Sequence, residues 1–349
     1  FPIFFFQKFS HPDPTVKRRS GLLFPSLTYS STLGSGFGIP YFLDIAMDKD
    51  LTLTPKIYLN ENPLFLAEYR QDFFNSFLQV DAGYSQGFKK QKNKKKKSRL
   101  DHFFSNLLVN LVDENEKKSS IEVNIEKVTN DSYLKKYDLR TSLTDRNKTV
   151  LENKIDFLFQ NKDFFFGLTP SVYEDTNKIG NQRHEYLLPL TLEKNLMTSQ
   201  RYGYLDLGSN LTIKNYEEFW APTKGKINKQ TNFLINNFKW QSQKWLNSFG
   251  VENYFEGLLK TVNYKADKSN EYKNEKDNSE AHAALGYFAK LGMYKEDLIN
   301  NNFYSLTPKI LLRYAPGHMR KVEKNKLDIG NLFSLNKIDE PDIVEPGFS

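Results

Sequence analysis

A two-residue alternation of apolar and polar side chains runs through most of this sequence and restricts the chain to β-structure. From Ser76 to Tyr84 the even positions are mostly apolar, whereas the odd positions include Gln79, Asp81 and Gly83. Successive side chains of a strand point to opposite faces, so this period separates apolar from polar groups. The same period recurs over 51–59, 121–126, 205–213 and 306–314. The pattern predicts β-strands with one apolar and one polar face.

About fifteen such segments follow one another along the chain. They are 20–30, 36–45, 51–59, 64–71, 76–85, 100–112, 120–128, 147–159, 163–174, 184–193, 202–213, 229–240, 247–265, 279–293 and 304–315. Short connections alternate with long ones, and the long ones are 86–99, 130–146, 214–228, 266–278 and 316–345. Outer-membrane barrels have short turns on one rim and longer loops on the other. We therefore predict an all-β fold, an antiparallel up-and-down transmembrane β-barrel.

A soluble β-sandwich or β-solenoid also alternates, and this alternative stays open. Strands of about ten residues exceed the roughly five or six usual in globular sheets, and they match the ~9–11 residues of a tilted membrane strand. Aromatic residues near strand ends, such as Tyr58, Tyr84 and Tyr314, fit interfacial girdles. Both features favour the membrane barrel.

Composition excludes helical membrane proteins, because no run approaches the roughly 20 apolar residues that a spanning helix needs. A barrel is still allowed at a mean hydropathy of −0.61, since its strands alternate. The absence of cysteine excludes disulfides and thiolate metal sites within this sequence. The sequence starts at Phe1, without an apolar leader, so we expect a fragment or a processed form.

The basic excess is concentrated in one run. The chain carries a formal charge of +7, and eight positive charges lie within residues 89–99, so the remainder sums to −1. They are Lys89, Lys90, Lys92, Lys94, Lys95, Lys96, Lys97 and Arg99. A solvated loop, a nucleic-acid patch and a surface for phosphate-bearing lipid head groups are the three interpretations. The run lacks the interleaved aromatic residues of a nucleic-acid platform.

Catalytic chemistry has no clear candidates, so we predict no enzyme and no catalytic, cofactor-binding or metal-binding residues. The histidines His11, His102, His184, His282 and His318 have no nearby partner at metal-ligand spacing. Gly34, Gly36 and Gly38 fit neither a dinucleotide fingerprint nor a nucleophile elbow. We expect the histidines to lie on the surface or in a lumen.

Two prolines fall inside the first two predicted strands. Pro25 and Pro40 each remove a backbone N–H that an interior strand would donate to its neighbour. An ordinary bulge or edge strand is one interpretation. The other interpretation is a weakly paired boundary between two strands that can separate.

Several blocks resemble the LptD family of LPS-assembly proteins. They are FPIFFFQKFSHPDPTVKRRSG (1–21), LLFPS (22–26), GFGIPYFLDIAMDKDLTLTPKIY (36–58), EYR (68–70), EKVTNDSYLKKYD (126–138), LTPKILLRYAPG (306–317) and NLFSLNKIDEPDIVEPGFS (331–349). The resembling blocks lie at both ends and in the middle of the sequence. Over residues 140–300 the resemblance consists mainly of the strand pattern.

This resemblance implies a Gram-negative cell outer-membrane protein that receives lipopolysaccharide from a periplasmic LptA bridge and is plugged by the lipoprotein LptE. Residues 1–16 would be the last strand of a periplasmic β-jellyroll and a linker, and 17–349 the N-terminal part of a barrel of about 26 strands. The closing strands would be missing. Pro25 and Pro40 match the family's lateral gate, where lipopolysaccharide passes from the lumen to the outer leaflet.

The family topology also places the loops. If the first strand starts in the periplasm, all the long connections face outward, and 316–345 matches a loop that folds over or into the lumen. The basic run then becomes a candidate contact for lipopolysaccharide head groups. The expected partners are lipopolysaccharide, LptE, the LptA bridge and outer-membrane lipids, without nucleic acid or cofactor. A passive porin-like channel is the alternative function.

Overall fold

A computed structural model describes residues 18–91, 94–178, 180–220, 225–266, 278–297, 302–316 and 333–335. The contacts divide the chain into unit 1, residues 1–107 with 125–148, and unit 2, residues 108–124 with 149–349. Nineteen of the twenty-one strands in the described residues belong to one large sheet, and the other two, residues 293–297 and 302–306, pair as a separate hairpin. The all-β, antiparallel prediction is confirmed.

The strands of unit 1 are β1 (Gly21–Leu22), β2 (Ser26–Ser30), β3 (Gly34–Gly38), β4 (Tyr41–Ala46), β5 (Lys49–Tyr58), β6 (Leu64–Asp72) and β7 (Ser76–Gln91). Two strands, β8 (Lys94–Glu114) and β9 (Lys117–Val128), contribute residues to both units. A short helix, α1 (Tyr133–Lys136), also belongs to unit 1.

The remaining strands are β10 (Val150–Asn161), β11 (Phe164–Leu168), β12 (Ser171–Asp175), β13 (His184–Ser199), β14 (Gly203–Trp220), β15 (Gly225–Gln241), β16 (Trp245–Leu246), β17 (Glu252–Ala266), β18 (Asn278–Lys290), β19 (Met293–Asp297), β20 (Asn302–Leu306) and β21 (Lys309–Tyr314). A 3₁₀ turn covers Gly180–Arg183. No helix among the described residues is both long and apolar enough to span a membrane.

Each unit is an antiparallel meander in which neighbours in sequence pair in space. In unit 1, β5 pairs with β6 and β6 with β7 in unbroken register. In unit 2, β13, β14 and β15 pair in sequence, followed by β15 with β17 and β17 with β18. This order is the up-and-down connectivity that the alternating turns predict.

Four of the predicted strands are interrupted at a proline. Pro25, Pro40, Pro170 and Pro308 lie in the gaps between β1 and β2, β3 and β4, β11 and β12, and β20 and β21. Proline has no N–H for the ladder, so regular pairing stops there. The structure therefore has more strands than the fifteen segments predicted from alternation.

The basic run corrects another prediction. We expected a loop over 86–99, but β7 continues to Gln91 and β8 begins at Lys94. Lysine is tolerated on strands whose side chains meet water, so a charged sequence can extend a sheet instead of ending it. Lys92 lies outside the described residues, and among the run's eight basic residues only the Arg99 side chain is described.

One face of the strands exposes large apolar side chains. In unit 1 they include Leu53, Ile57 and Phe65, and in unit 2 they include Leu259 and Ile310. Several polar residues of the opposite face are buried instead, among them Asp50 and Asp81 in unit 1. Within each unit these apolar side chains are therefore exposed, and in unit 1 the polar face is covered in places.

Candidate functional site: a proline line and a covered polar face

Three prolines line up across neighbouring strands of unit 1, and we call Pro25, Pro40 and Pro55 the proline line. Leu22 of β1 pairs with Tyr41 of β4, and Ser26 of β2 pairs with Gly38 of β3. The three residues between β1 and β2 therefore face the two residues between β3 and β4. This extra residue is a β-bulge at Leu23–Pro25. Pro55 lies inside β5, opposite the gap between β3 and β4.

Each gap in this line keeps only half of its hydrogen bonds. The Leu23 N–H donates to the Pro40 carbonyl at 2.9 Å, and the Ile39 N–H donates to the Pro55 carbonyl at 3.2 Å. Directly opposed residues of a narrow antiparallel pair normally exchange two bonds, but proline returns none. Within the described part of the chain, no side chain donates to the Leu23 or Ile39 carbonyl in its place.

A second proline line lies in unit 2 and consists of Pro170 and Pro189. Its prolines accept backbone hydrogen bonds as in the first line, but a side chain replaces one of the missing donors. Ile155 donates to the Pro170 carbonyl and Thr169 donates to the Pro189 carbonyl, both at 3.1 Å. Here the Ser171 hydroxyl donates to the Thr169 carbonyl at 2.9 Å, where the Pro189 N–H is missing. The Thr169 hydroxyl also donates to Asp156 at 2.8 Å. This second line is thus better bonded than the first.

The polar face of unit 1 is covered by residues 130–148, which we call the covering segment. Four of its apolar residues are buried there, namely Tyr133, Leu134, Tyr137 and Leu139. The helix α1 presents Tyr133 and Tyr137 one turn apart, so both rings point the same way. Their ring centroids lie 5.2 Å apart, and Tyr137 also contacts Tyr58 of β5 at 5.7 Å.

Asp81 of β7 is the hub of the polar contacts beneath this segment. Its carboxylate accepts hydrogen bonds from the Thr141 hydroxyl and, at 2.9 Å, from the Thr144 hydroxyl. His102 Nε2 lies 3.3 Å from Asp81 Oδ1, and its Nδ1 lies 3.1 Å from the Tyr133 hydroxyl. Asp81, His102 and Tyr133 are almost completely buried. This network satisfies polar groups that would otherwise be costly to bury.

Ion pairs hold the segment around this hub. Lys136 Nζ lies 2.9 Å from Glu61, and Lys148 Nζ lies 2.5 Å from Glu126. Asp138 adopts a left-handed φ of 46°, which aspartate tolerates better than most residues.

Two side chains of the covering segment have shifted pKa values. Burial raises the pKa of Tyr133, so its hydroxyl stays protonated. A hydrogen bond from Arg146 lowers the pKa of Asp138, which keeps that carboxyl charged.

The residues that the sequence analysis singled out lie in different surroundings in the structure. Pro25 and Pro40 lie together at one break in the sheet. The histidine prediction allows a surface or a lumen position, and His102 lies buried on the polar face beneath the covering segment. For its partner Asp81 the sequence predicts only a polar position on an alternating strand. Among the described residues, no group of three or more His, Cys, Asp or Glu side chains could hold a metal ion.

Three known proteins that are similar to this chain are each named LPS-assembly protein LptD. The Legionella pneumophila (strain Lens) protein is 26% identical over 233 residues, covering 63% of this chain. The Psychrobacter cryohalolentis protein is 33% identical over 91 residues, and that of Polaromonas sp. strain JS666 is 42% identical over 69 residues; these cover 24% and 20% of this chain. In sequence the chain is LptD-like.

The similarity extends over only part of each relative. The matched region covers 26% of the Legionella protein, 9% of the Psychrobacter protein and 8% of the Polaromonas protein. The LptD-like chain thus spans about a quarter of the length of the Legionella relative. No protein-family model matches it.

Proposed function

We propose that this chain is part of a non-enzymatic outer-membrane barrel that assembles lipopolysaccharide at the cell surface. The observation that carries the proposal is the similarity to LPS-assembly protein LptD over 63% of the chain. The all-β meander with alternating faces agrees with such a barrel.

The exposed apolar face supports an outer-membrane location. Leu53, Ile57 and Phe65 project from unit 1 as exposed side chains. A water-soluble sheet normally buries its apolar face and solvates its polar one. The reverse arrangement suits a wall whose apolar side contacts lipid.

The proline line is the proposed lateral exit. Pro40 and Pro55 leave the Leu23 and Ile39 carbonyls without their ladder donors, and Pro25 lies in the bulge beside them, so opening the sheet there breaks fewer hydrogen bonds. Acyl chains would leave sideways through this opening while the sugar stays on the polar side. Residues 1–16, which lie outside the described residues, would lead from the periplasmic jellyroll and its LptA bridge, and LptE would plug the lumen.

The porin-like alternative has less support. A passive channel needs an open polar passage, whereas the covering segment buries Tyr133 and Leu139 against the polar face of unit 1. A covered face suits a transporter whose lumen is occupied until cargo passes.

Replacing both prolines should slow lipopolysaccharide export. Pro40→Ala restores the donor opposite the unpaired Leu23 carbonyl, a hydrogen bond worth about 0.5–1.5 kcal/mol, and Pro25→Ala removes the proline from the adjacent bulge. An added cost of about 0.5–1.5 kcal/mol corresponds to roughly 2- to 13-fold less of the open state. The measurement is delivery of newly made lipopolysaccharide to the surface of cells that carry the full-length protein.

The second proline line provides the matched control. Pro170→Ala adds an N–H opposite the Ile155 carbonyl in unit 2, which is the same change as Pro40→Ala but away from the proposed exit. We expect export in this variant to stay within about twofold of wild type, because that break is not the exit. Equal export by wild type and the Pro25/Pro40 variant would refute the exit assignment.

A further inference from the structure

Residues 18–30, which we call the leading segment, contain β1 and β2 and have few backbone contacts. β1 pairs with β4 through two residue pairs, and β2 pairs with β3 through five. Between β1 and β2 lies the bulge, where the Leu23 carbonyl lacks the ladder donor that Pro40 cannot provide. The backbone therefore holds the leading segment less firmly than it holds the long strands that follow.

Two side chains near the start of the leading segment bond to other strands. The Ser20 hydroxyl accepts a hydrogen bond from the Asp44 N–H at 2.8 Å, and the Arg18 guanidinium donates to the Asp50 carboxylate. Residues 20–30 carry no charged side chain. Among the ion pairs of the described residues, only that of Arg18 with Asp50 joins the leading segment to another strand.

Arg18 reaches Asp50 by lying across the strand between them. Its guanidinium carbon is 5.4 Å from the centroid of the Phe42 ring of β4, within the range of a cation–π contact. β4 pairs with β1 on one side and with β5, which carries Asp50, on the other. The missing donors at the Leu23 and Ile39 carbonyls lie on these same two boundaries. The ion pair therefore spans both of the weakly paired boundaries of the proline line.

Asp50 also binds a second arginine, on the strand at its other side. Arg70 of β6 donates to the Asp50 carboxylate through Nε at 3.0 Å and through Nη2 at 3.3 Å. β5 and β6 pair continuously over eight residue pairs, so this second ion pair crosses a firmly paired boundary. Asp50 is thus fixed to β6 while it accepts from the leading segment.

Release of Arg18 would leave no buried charge without a partner. Asp50 is 5% exposed and would keep both hydrogen bonds from Arg70, whereas the Arg18 side chain is already 48% exposed. Breaking an ion pair is costly when it leaves one charge alone in the interior. It costs little when water solvates the departing group. The Arg18–Asp50 contact can therefore break and form again while the rest of the sheet stays intact.

We infer that Arg18 is a positioning residue that holds the leading segment against β5, and that the proposed exit opens when Arg18 releases Asp50. Only the passage of lipopolysaccharide rests on the proposed function; the separation of the strands rests on the contacts of Arg18. Arg70 keeps the acceptor in place whether the exit is open or closed.

The test compares Arg18→Gln with Arg70→Gln by amide hydrogen exchange over residues 21–30 of the full-length protein in detergent. Both variants remove one cation from Asp50, but only Arg18→Gln frees the leading segment. We expect exchange there to become about two- to fivefold faster in Arg18→Gln, the range for a partly exposed ion pair. Arg70→Gln should not speed it, because Asp50 then keeps Arg18 as its partner.

Salt and a conservative variant distinguish this role from simple packing. Added salt should speed exchange over residues 21–30 in wild type and change it little in Arg18→Gln, which has no ion pair left to screen. Arg18→Lys keeps a positive charge without the planar guanidinium, so its exchange rate should lie between those of wild type and Arg18→Gln. Exchange over β14, in unit 2, is the internal reference and should be the same in every variant.

Unchanged exchange over residues 21–30 in Arg18→Gln would overturn the inference, and so would equal acceleration by Arg70→Gln. Surface delivery of lipopolysaccharide, measured separately in cells, distinguishes the two proposals. Delivery that slows in the Pro25/Pro40 variant, without faster exchange in Arg18→Gln, removes the role of Arg18 alone. Faster exchange in Arg18→Gln, with delivery unchanged in the Pro25/Pro40 variant, supports the hold of Arg18 on the leading segment and removes the proposed exit.

Discussion

Gly83 determines how closely the covering segment can approach the sheet. A Cβ on this β7 glycine would lie 2.5 Å from His102 Cε1 and 2.6 Å from the Tyr133 hydroxyl. Both neighbours are almost fully buried, so neither can move aside freely. The absent side chain is what allows the histidine and the tyrosine to meet above the strand.

Gly83→Ala should loosen the covering segment. Overpacking of this kind typically costs about 1–3 kcal/mol, and we expect faster hydrogen exchange and proteolysis over residues 130–148 of the full-length protein. Gly208→Ala, at a glycine with open space above it, is the control and should leave that segment protected. Unchanged protection in Gly83→Ala would show that the segment does not depend on this contact.

The contacts within the buried network could not be predicted from the sequence. Alternation placed Asp81 and Gly83 on the polar face correctly, because the period of two is a property of neighbouring residues. The partner Tyr133 lies 52 positions beyond Asp81 in a segment with no strand pattern, and nothing local indicates that it returns to the sheet. The proximity of Asp81, His102 and Tyr133 arises from tertiary packing.

At the scale of elements, the sequence predicts that a strand is present but does not predict where that strand ends. The segment predicted over 51–59 is β5 (Lys49–Tyr58), since hydrophobic period alone specifies it. The segment predicted over 163–174 became β11 and β12, because Pro170 cannot donate to β10. The sequence predicts weak pairing at Pro25 and Pro40, whereas the position of Pro55 in the same line follows only from the register of β5.

The ends of β7 and β8 carry the basic run, and replacing Lys89–Arg99 by an Asn-Gly turn should weaken association with lipopolysaccharide. Each basic residue near an anionic surface contributes about 1 kcal/mol, and the effect should diminish at high salt. The measurement is co-sedimentation of the full-length protein with lipopolysaccharide vesicles and with zwitterionic vesicles. A variant with the eight basic residues changed to glutamine keeps the length as a control and should bind as weakly. Unchanged sedimentation of both variants would identify the run as a solvated extension.

At the scale of the whole molecule, a charged substitution should destabilise a face that contacts lipid far more than a face that contacts water. Leu53 is 39% exposed on the apolar face, and Thr52 precedes it on the opposite face beside Glu68. Leu53→Arg should destabilise the full-length protein in a bilayer by about 2–4 kcal/mol, as arginine does at the middle of a membrane strand. Thr52→Arg, opposite a carboxylate, should cost far less. Guanidinium titration in phospholipid vesicles measures both, and equal costs for the two variants would contradict a lipid-facing apolar surface.

The spacing of the proline line has a consequence for how this protein can vary. Pro25, Pro40 and Pro55 are separated by equal intervals of fifteen residues, so two successive hairpins return the chain to the same height in the sheet. Inserting or deleting one residue between two of them would shift a proline out of the line and turn every following side chain of that strand to the other face. Changes of residue type in these hairpins should therefore be tolerated more readily than changes of length.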